Sequence, residues 1–220
     1  MTLRYDCGTA KERERAVKAA TSAVRRGDLV VFPTDSAYGV GTDAFSSMGV
    51  AGLRRAKGRG RELPLPVLIG SPQTLGGIAA KVGEEAKRLI EDFWPGPLTL
   101  IVRAQPTLTW DIPDDGLISV RMPLHPLAID LLRQTGPMSV TGANAPGEPL
   151  PRTCAEAERQ LGNAIGMYLD AGELAPMDPS SIVDVTGARP VLLREGGYSA
   201  AVLAESCPSL VLPDVPAEDA

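Results

Sequence analysis

Apolar residues recur at three- and four-residue spacing over residues 11–26, at Ala16, Val17, Ala20, Ala23 and Val24, and Gly27 stands where such a helix would stop. The period then changes. Residues 28–32 read DLVVF, a short β-branched run closed by Pro33, which predicts a buried strand. A polar, glycine-containing stretch, PTDSAYGVGTDAF, carries no strand prediction; Ser46 or Ser47 then caps a second helix running through Ala56. Residues 64–69 are expected to be extended, with Pro64 and Pro66 pointing to an edge or a strand entry. The pattern next predicts a helix over 84–93, stopped by Trp94-Pro95-Gly96-Pro97, and strands over 98–102 and 117–122. A helix over 126–134, a strand near 138–141 and a helix over 153–162 capped by Thr153 follow, then strands over 165–169, 182–185 and 191–193. Helices alternating with about seven strands predict an α/β domain.

Composition narrows the class. The chain has 220 residues, 44% hydrophobic and 22% charged, which suits one large folded domain and excludes wholesale disorder. The domain is expected over residues 1–207, and the acidic, Pro-containing segment 208–220 is expected to be a poorly ordered tail. Net charge is 22 − 27 = −5. Five acids and no Lys or Arg follow Arg194, so residues 1–194 carry 22 − 22 = 0, and an anionic ligand in the body is not excluded. Cys7, Cys154 and Cys207 are far apart, which argues against a disulfide framework and a thiolate zinc site. A single histidine, His125, rules out two-His metal sites. No run approaches the ~20 apolar residues of a membrane span, and KERER at 11–15 is no signal core, so a cytoplasmic protein is expected. Twenty prolines and 23 glycines gather between the strands, which predicts long shaped loops of the kind that carry binding sites.

The densest chemistry is Arg54, Arg55, Lys57, Arg59 and Arg61, five cations within eight residues and no acid before Glu62. The plain reading is a solvated helix end, with cations at the negative pole of the dipole. Gly58 and Gly60 let the backbone bend these cations toward one point, which suits a triphosphate or an RNA backbone. One cation–phosphate contact supplies on the order of 4 kcal/mol at an effective dielectric of about 20, before desolvation.

Thr34, Ser36 and Tyr38 place hydroxyls just past a buried strand, where α/β sheets bind ligands, although an ordinary turn reads the same. GVGTDA at 39–44 matches the dinucleotide fingerprint loosely, because it lacks the strand-turn-helix context. Trp94 in FWPGPLT reads as packing. Arg121 lies inside an apolar strand and needs a partner, either a buried ion pair or a ligand carboxylate gripped by the guanidinium fork. His125, between Pro123 and Pro126, reads as a helix-entry contact.

In order and spacing, PTDSAYGVG, KGR, FWPGPLT, VRMPLHP, TGAN, SSIVDV and LLREGG together resemble the Sua5/YrdC family of threonylcarbamoyl-AMP synthases, over about residues 12–200. The likeness is to the short form, a single YrdC-like domain. It implies a twisted open mixed α/β sheet with flanking helices around a large concave cleft. It implies a nucleotidyltransferase that joins L-threonine, bicarbonate and ATP into threonylcarbamoyl-AMP and pyrophosphate for tRNA t6A modification. Candidate partners are then tRNA and the downstream t6A transfer proteins, with no membrane. By motif match Lys57 and Arg59 would hold the ATP phosphates, with Arg61 as a further cation. Thr34 and Arg121 would hold threonine, Arg121 on its carboxylate, with Thr141 and Ser181 in the same pocket. Asn144, Ser180 and Arg194 would sit on the nucleotide side, and Tyr38 is a pocket-lining candidate. No acid or base is identified, no side chain is assigned to a metal, and Mg²⁺ would be held mainly through the phosphates. The chain departs from the family's usual pattern at Gly60 (proline of KxRP), Leu68 (histidine in some members) and Gly142 (serine of PSAN).

Three other readings compete. A non-catalytic RNA-binding module would use the basic loop, though the zero charge of residues 1–194 argues against strong RNA affinity. A Rossmann oxidoreductase rests on GVGTDA alone. A carbamoyl-transfer domain of the hydrogenase-maturation type would bring zinc-binding cysteines that this chain lacks.

Overall fold

The computed structural model describes residues 2–58, 60, 64–108 and 110–212. The run at the second strand, β2 (Val30–Pro33), lacks polar alternation because both of its faces are covered. Val30 and Phe32 face one helical layer and Val31 faces the other.

The chain begins with β1 (Leu3–Asp6) and α1 (Ala10–Arg25), whose first turn is closed by a capping box between Thr9 and Glu12. After β2 come β3 (Tyr38–Asp43), α2 (Ser47–Ala56, capped by Ser46), β4 (Val67–Leu68) and the one-turn α3 (Leu75–Ile78). Then follow α4 (Glu84–Phe93), β5 (Leu98–Arg103), β6 (Leu117–Arg121), α5 (Pro126–Thr135) and β7 (Met138–Gly142). The last elements are α6 (Cys154–Leu161), β8 (Met167–Asp170), β9 (Ser181–Asp184), β10 (Val191–Arg194) and α7 (Ala200–Ser206).

Among the described residues ten strands form one mixed sheet in the order β1-β8-β2-β3-β7-β4-β6-β5-β9-β10. Helices α1 and α5 cover Val30, Phe32, Val140 and Met167 on one face, while α2 and α6 cover Val31, Tyr38, Val40 and Tyr168 on the other. Helices α3, α4 and α7 close the half built from β4–β6, β9 and β10, around Leu89, Leu98, Leu100 and Leu203. The expected twisted α/β sheet with flanking helices is therefore what the chain forms. Among the described residues no helix is long and apolar enough to cross a membrane.

Several expectations need correcting. The stretch left without a strand contains β3, which pairs antiparallel with both β2 and β7. Of the two expectations for 64–69, the strand entry holds and the edge does not, because β4 lies between β6 and β7. Its prolines precede the paired residues, and the Pro66 carbonyl only has to accept, from Val140 N–H at 2.8 Å. The sequence reading also passed over β1 and α7. The expected tail begins docked: Leu210 is buried, and Val211 bridges to Val191. Residues 213–220 of that segment lie outside the described residues.

Phe32 is completely buried between β2 and the α1/α5 layer. Phe32→Ala should lower unfolding stability by about 3–5 kcal/mol, read as a shifted urea midpoint with little change in slope.

Candidate functional site

The turn between β2 and β3 holds itself together. Thr34 N–H donates to the Ala37 carbonyl at 2.9 Å, and the Thr34 hydroxyl donates to the same carbonyl at 2.7 Å. Ser36 Oγ lies 3.4 Å from Thr34 Oγ1. This turn, the end of β6, the starts of β5 and β9 and the end of β7 meet around one hollow of about 160 Å³. Its polar wall includes Thr34, Ser36, Thr99, Arg121, Thr141 and Ser180; Pro66, Leu68, Val140 and Leu150 supply apolar wall. The volume is below the roughly 300–1,000 Å³ of drug-sized pockets and suits a single small molecule. Larger hollows exist, about 600 Å³ beside Trp94 and Ile90 and about 610 Å³ beside Met48 and Arg55, but their charged lining residues are on the surface and do not converge.

Arg121 is the centre of this wall. It is buried at the end of β6, and its Nε donates to the Gly96 carbonyl at 3.0 Å. Its Nη2 forms an ion pair with Asp35 Oδ2, and its Nη1 lies 3.5 Å from Ser36 Oγ. Of the two readings of this arginine, the structure shows the buried ion pair. The Nη1 edge still faces Ser36 at the hollow wall.

Lys57 follows α2 and is also buried. Its Nζ donates to the Gly142 carbonyl and to Asn144 Oδ1, each at 2.8 Å, and to the Asn144 carbonyl. Gly58 continues at φ +56°, a left-handed turn that suits glycine. Gly142 lines the hollow, so Lys57 and Arg121 are joined through one wall. A Cβ at Gly142 would meet Leu150 Cδ2, and Asn144 Oδ1 at 2.9 Å, so a larger residue here would require those two side chains to shift. Arg54, grouped with the basic cluster, is a buried strut: Nη1 donates to the Gly60 carbonyl at 2.6 Å, and Nε lies 3.3 Å from Asp111 Oδ2.

The structure brings Thr34, Arg121, Thr141 and Ser180 to the hollow. Tyr38 contributes to the wall, but its hydroxyl donates to the Gly172 carbonyl at 2.7 Å and accepts from Ala171 N–H, away from it. Ser181, expected in the threonine pocket, is not part of this wall. Its hydroxyl donates to the Tyr198 carbonyl and accepts from Gly196 and Tyr198 N–H, shaping that loop. Ser180 takes the wall position, its hydroxyl 2.8 Å from that of Thr99. Arg194 grips the Ser180 carbonyl at 2.7 Å. Asn144 is tied to Lys57 and, through Nδ2, to the Glu148 carbonyl. Arg59 and Arg61 lie outside the described residues.

Sequence reasoning missed Asp35, Thr99 and Leu150. Asp35 had one usable signal, as the sole acid between the buried β2 run and Asp43, in a chain with one arginine buried in a strand. GVGTDA lies largely within β3, so no dinucleotide turn forms. Trp94 is buried and donates to the Leu98 carbonyl, as packing requires. All three cysteines are buried and unpaired.

Comparison with known proteins points to one family. A Sua5/YciO/YrdC family model, described as "Telomere recombination", matches residues 22–196. A Mycobacterium tuberculosis protein provisionally named threonylcarbamoyl-AMP synthase is 47% identical over 206 residues, covering 93% of this chain and 95% of its own. The threonylcarbamoyl-AMP synthase of Pyrococcus abyssi is 35% identical over 187 residues, 84% of this chain and 55% of its own. The structure of P. abyssi Sua5 complexed with L-threonine matches with a TM-score of 0.90 at 30% identity, over 100% of this chain and 65% of that one.

His125 is the N-cap of α5, its Nδ1 accepting from Leu127 N–H at 3.2 Å. Burial, aided by Arg13 and opposed by Asp35, lowers its pKa below the usual value. The unfolded chain therefore takes up the proton first, and stability should fall as pH drops below about 6.5. His125→Asn keeps a good cap and should lack that fall, measured as urea midpoints at about pH 7.5 and 5.5.

Proposed function

The chain belongs to the Sua5/YciO/YrdC family, and from that premise we propose that it is an L-threonylcarbamoyladenylate synthase, an enzyme that forms threonylcarbamoyl-AMP and pyrophosphate from L-threonine, bicarbonate and ATP. One observation supports this most: a buried guanidinium reaches an amino-acid-sized hollow whose Gly142 wall is also where a buried lysine is tied.

In this reading Arg121 offers its Nη1 edge to the threonine carboxylate, and Thr34, Ser36 and Thr141 surround the amino acid. The neutral threonine amine condenses with bicarbonate, forming the N–C bond of a carbamate and releasing water. A carbamate oxygen then attacks the α-phosphorus of ATP, the bond to the β-phosphate oxygen breaks, and pyrophosphate leaves. No side-chain nucleophile is needed, and the protein's part is alignment and charge neutralisation. The hollow is too small for a nucleotide as well. The triphosphate is therefore assigned outside it, on the side of Lys57 and Asn144, with Arg59 and Arg61 as further cations and with Ser180 and Arg194 on the nucleotide side. Mg²⁺, where the reaction uses it, would be held mainly through the nucleotide phosphates. The acyl-adenylate passes to t6A transfer proteins acting on tRNA.

Incubation with ATP, L-threonine and bicarbonate should yield the acyl-adenylate by mass spectrometry and pyrophosphate release that depends on threonine. Absence of both products contradicts the assignment. Lys57→Ala should nearly abolish that release, and full activity in this variant would remove its role at the phosphate end. Arg121→Lys keeps the charge but loses the planar fork. It should raise the KM for threonine at least about tenfold while the KM for ATP moves less than about twofold.

A further inference from the structure

The ion pair behind the hollow bears on which ligands the hollow accepts, an inference that rests on its reading as an amino-acid site. Arg121 is the sole charged side chain among the described residues lining it. That charge is already met. Asp35 Oδ2 holds Nη2, and the two side chains are 10% and 5% exposed for Arg121 and Asp35. Asp35 Oδ1 is shielded from solvent and has no hydrogen-bond partner among the described residues. The carboxylate is therefore under-coordinated, and its negative charge is poorly screened by water.

A ligand carboxylate that reaches Nη1 meets a guanidinium with a second carboxylate on its far side. Charge repulsion of this kind is weak in water and substantial in a buried site. A ligand that brings its own positive charge relieves it; one without a cation does not.

We propose that Asp35 is a specificity-determining counter-ion. It neutralises Arg121 in advance, so that the hollow takes a zwitterionic amino acid and disfavours carboxylates lacking an α-ammonium group. Carbamoylation removes the ammonium charge, so the threonyl end of the product is disfavoured by the same charge and its release is eased.

The direct probe is 2,3-dihydroxybutanoate, which keeps the shape of threonine with a hydroxyl in place of the ammonium group. Dissociation constants for it and for L-threonine are measured by calorimetry in the wild type, Asp35→Asn and Asp35→Glu, with circular dichroism to establish folding. The wild type should prefer threonine by at least about tenfold. Asp35→Asn should narrow that gap about tenfold, mainly through tighter binding of the analogue, and Asp35→Glu should keep it. An unchanged gap in folded Asp35→Asn overturns the role of Asp35 while leaving the amino-acid site in place. Equal wild-type affinity for both ligands overturns it without any variant. Failure of the wild type to bind either ligand overturns the amino-acid site itself, and this proposal with it.

Discussion

A guanidinium buried in a sheet must have its donors met, and here that requirement shapes the site. Arg121 ends a strand whose neighbours are apolar. Its partners come from two other parts of the chain: Asp35 and Ser36 from the turn after β2, and the Gly96 carbonyl from the turn after α4. Removing one member of such a pair costs about 3–5 kcal/mol, because the other is left buried and unpaired. Those turns are therefore fixed relative to β6 before any ligand arrives. The hollow is the space they leave.

A second tether works at right angles to the first in logic, if not in space. Lys57 follows α2 and reaches the chain just past β7, gripping Gly142 and Asn144. Arg54 on the same helix holds the Gly60 carbonyl and pairs with Asp111. The basic segment is thus partly structural: two of its five cations brace the backbone that carries the others. In the proposed function, Lys57 and the Gly142 wall it grips are where the amino acid and the polyphosphate would meet.

Legibility in the sequence followed local physics. Helix α4 was read with its observed bounds because its amphipathic period runs straight into Trp94-Pro95-Gly96-Pro97. Strand β3 was not, because Gly39 and Gly41 look like turn residues. They are glycine for packing reasons: a Cβ at Gly41 would meet the Ser139 carbonyl at 2.9 Å and Val140 Cγ2 at 2.7 Å. That crowding comes from the neighbouring strand β7 and has no local signal. The same limit governs the site. Arg121 was legible as a charge in an apolar run, but Asp35, 86 positions away, became its partner only through sheet order. Ser180 and Ser181 are adjacent and chemically equal, so only the start of β9 decides which hydroxyl faces the hollow and which one pins the Gly196–Tyr198 loop.

The central claim is that one hollow seats the amino acid while the nucleotide phosphates lie just beyond its Lys57 side. A crystal structure with L-threonine and a non-hydrolysable ATP analogue tests it most directly. The threonine carboxylate is expected on Arg121 Nη1 and the triphosphate against Lys57, Asn144 and the basic loop. Threonine elsewhere, or phosphates bound in the cleft beside Trp94 and Lys87, would contradict it.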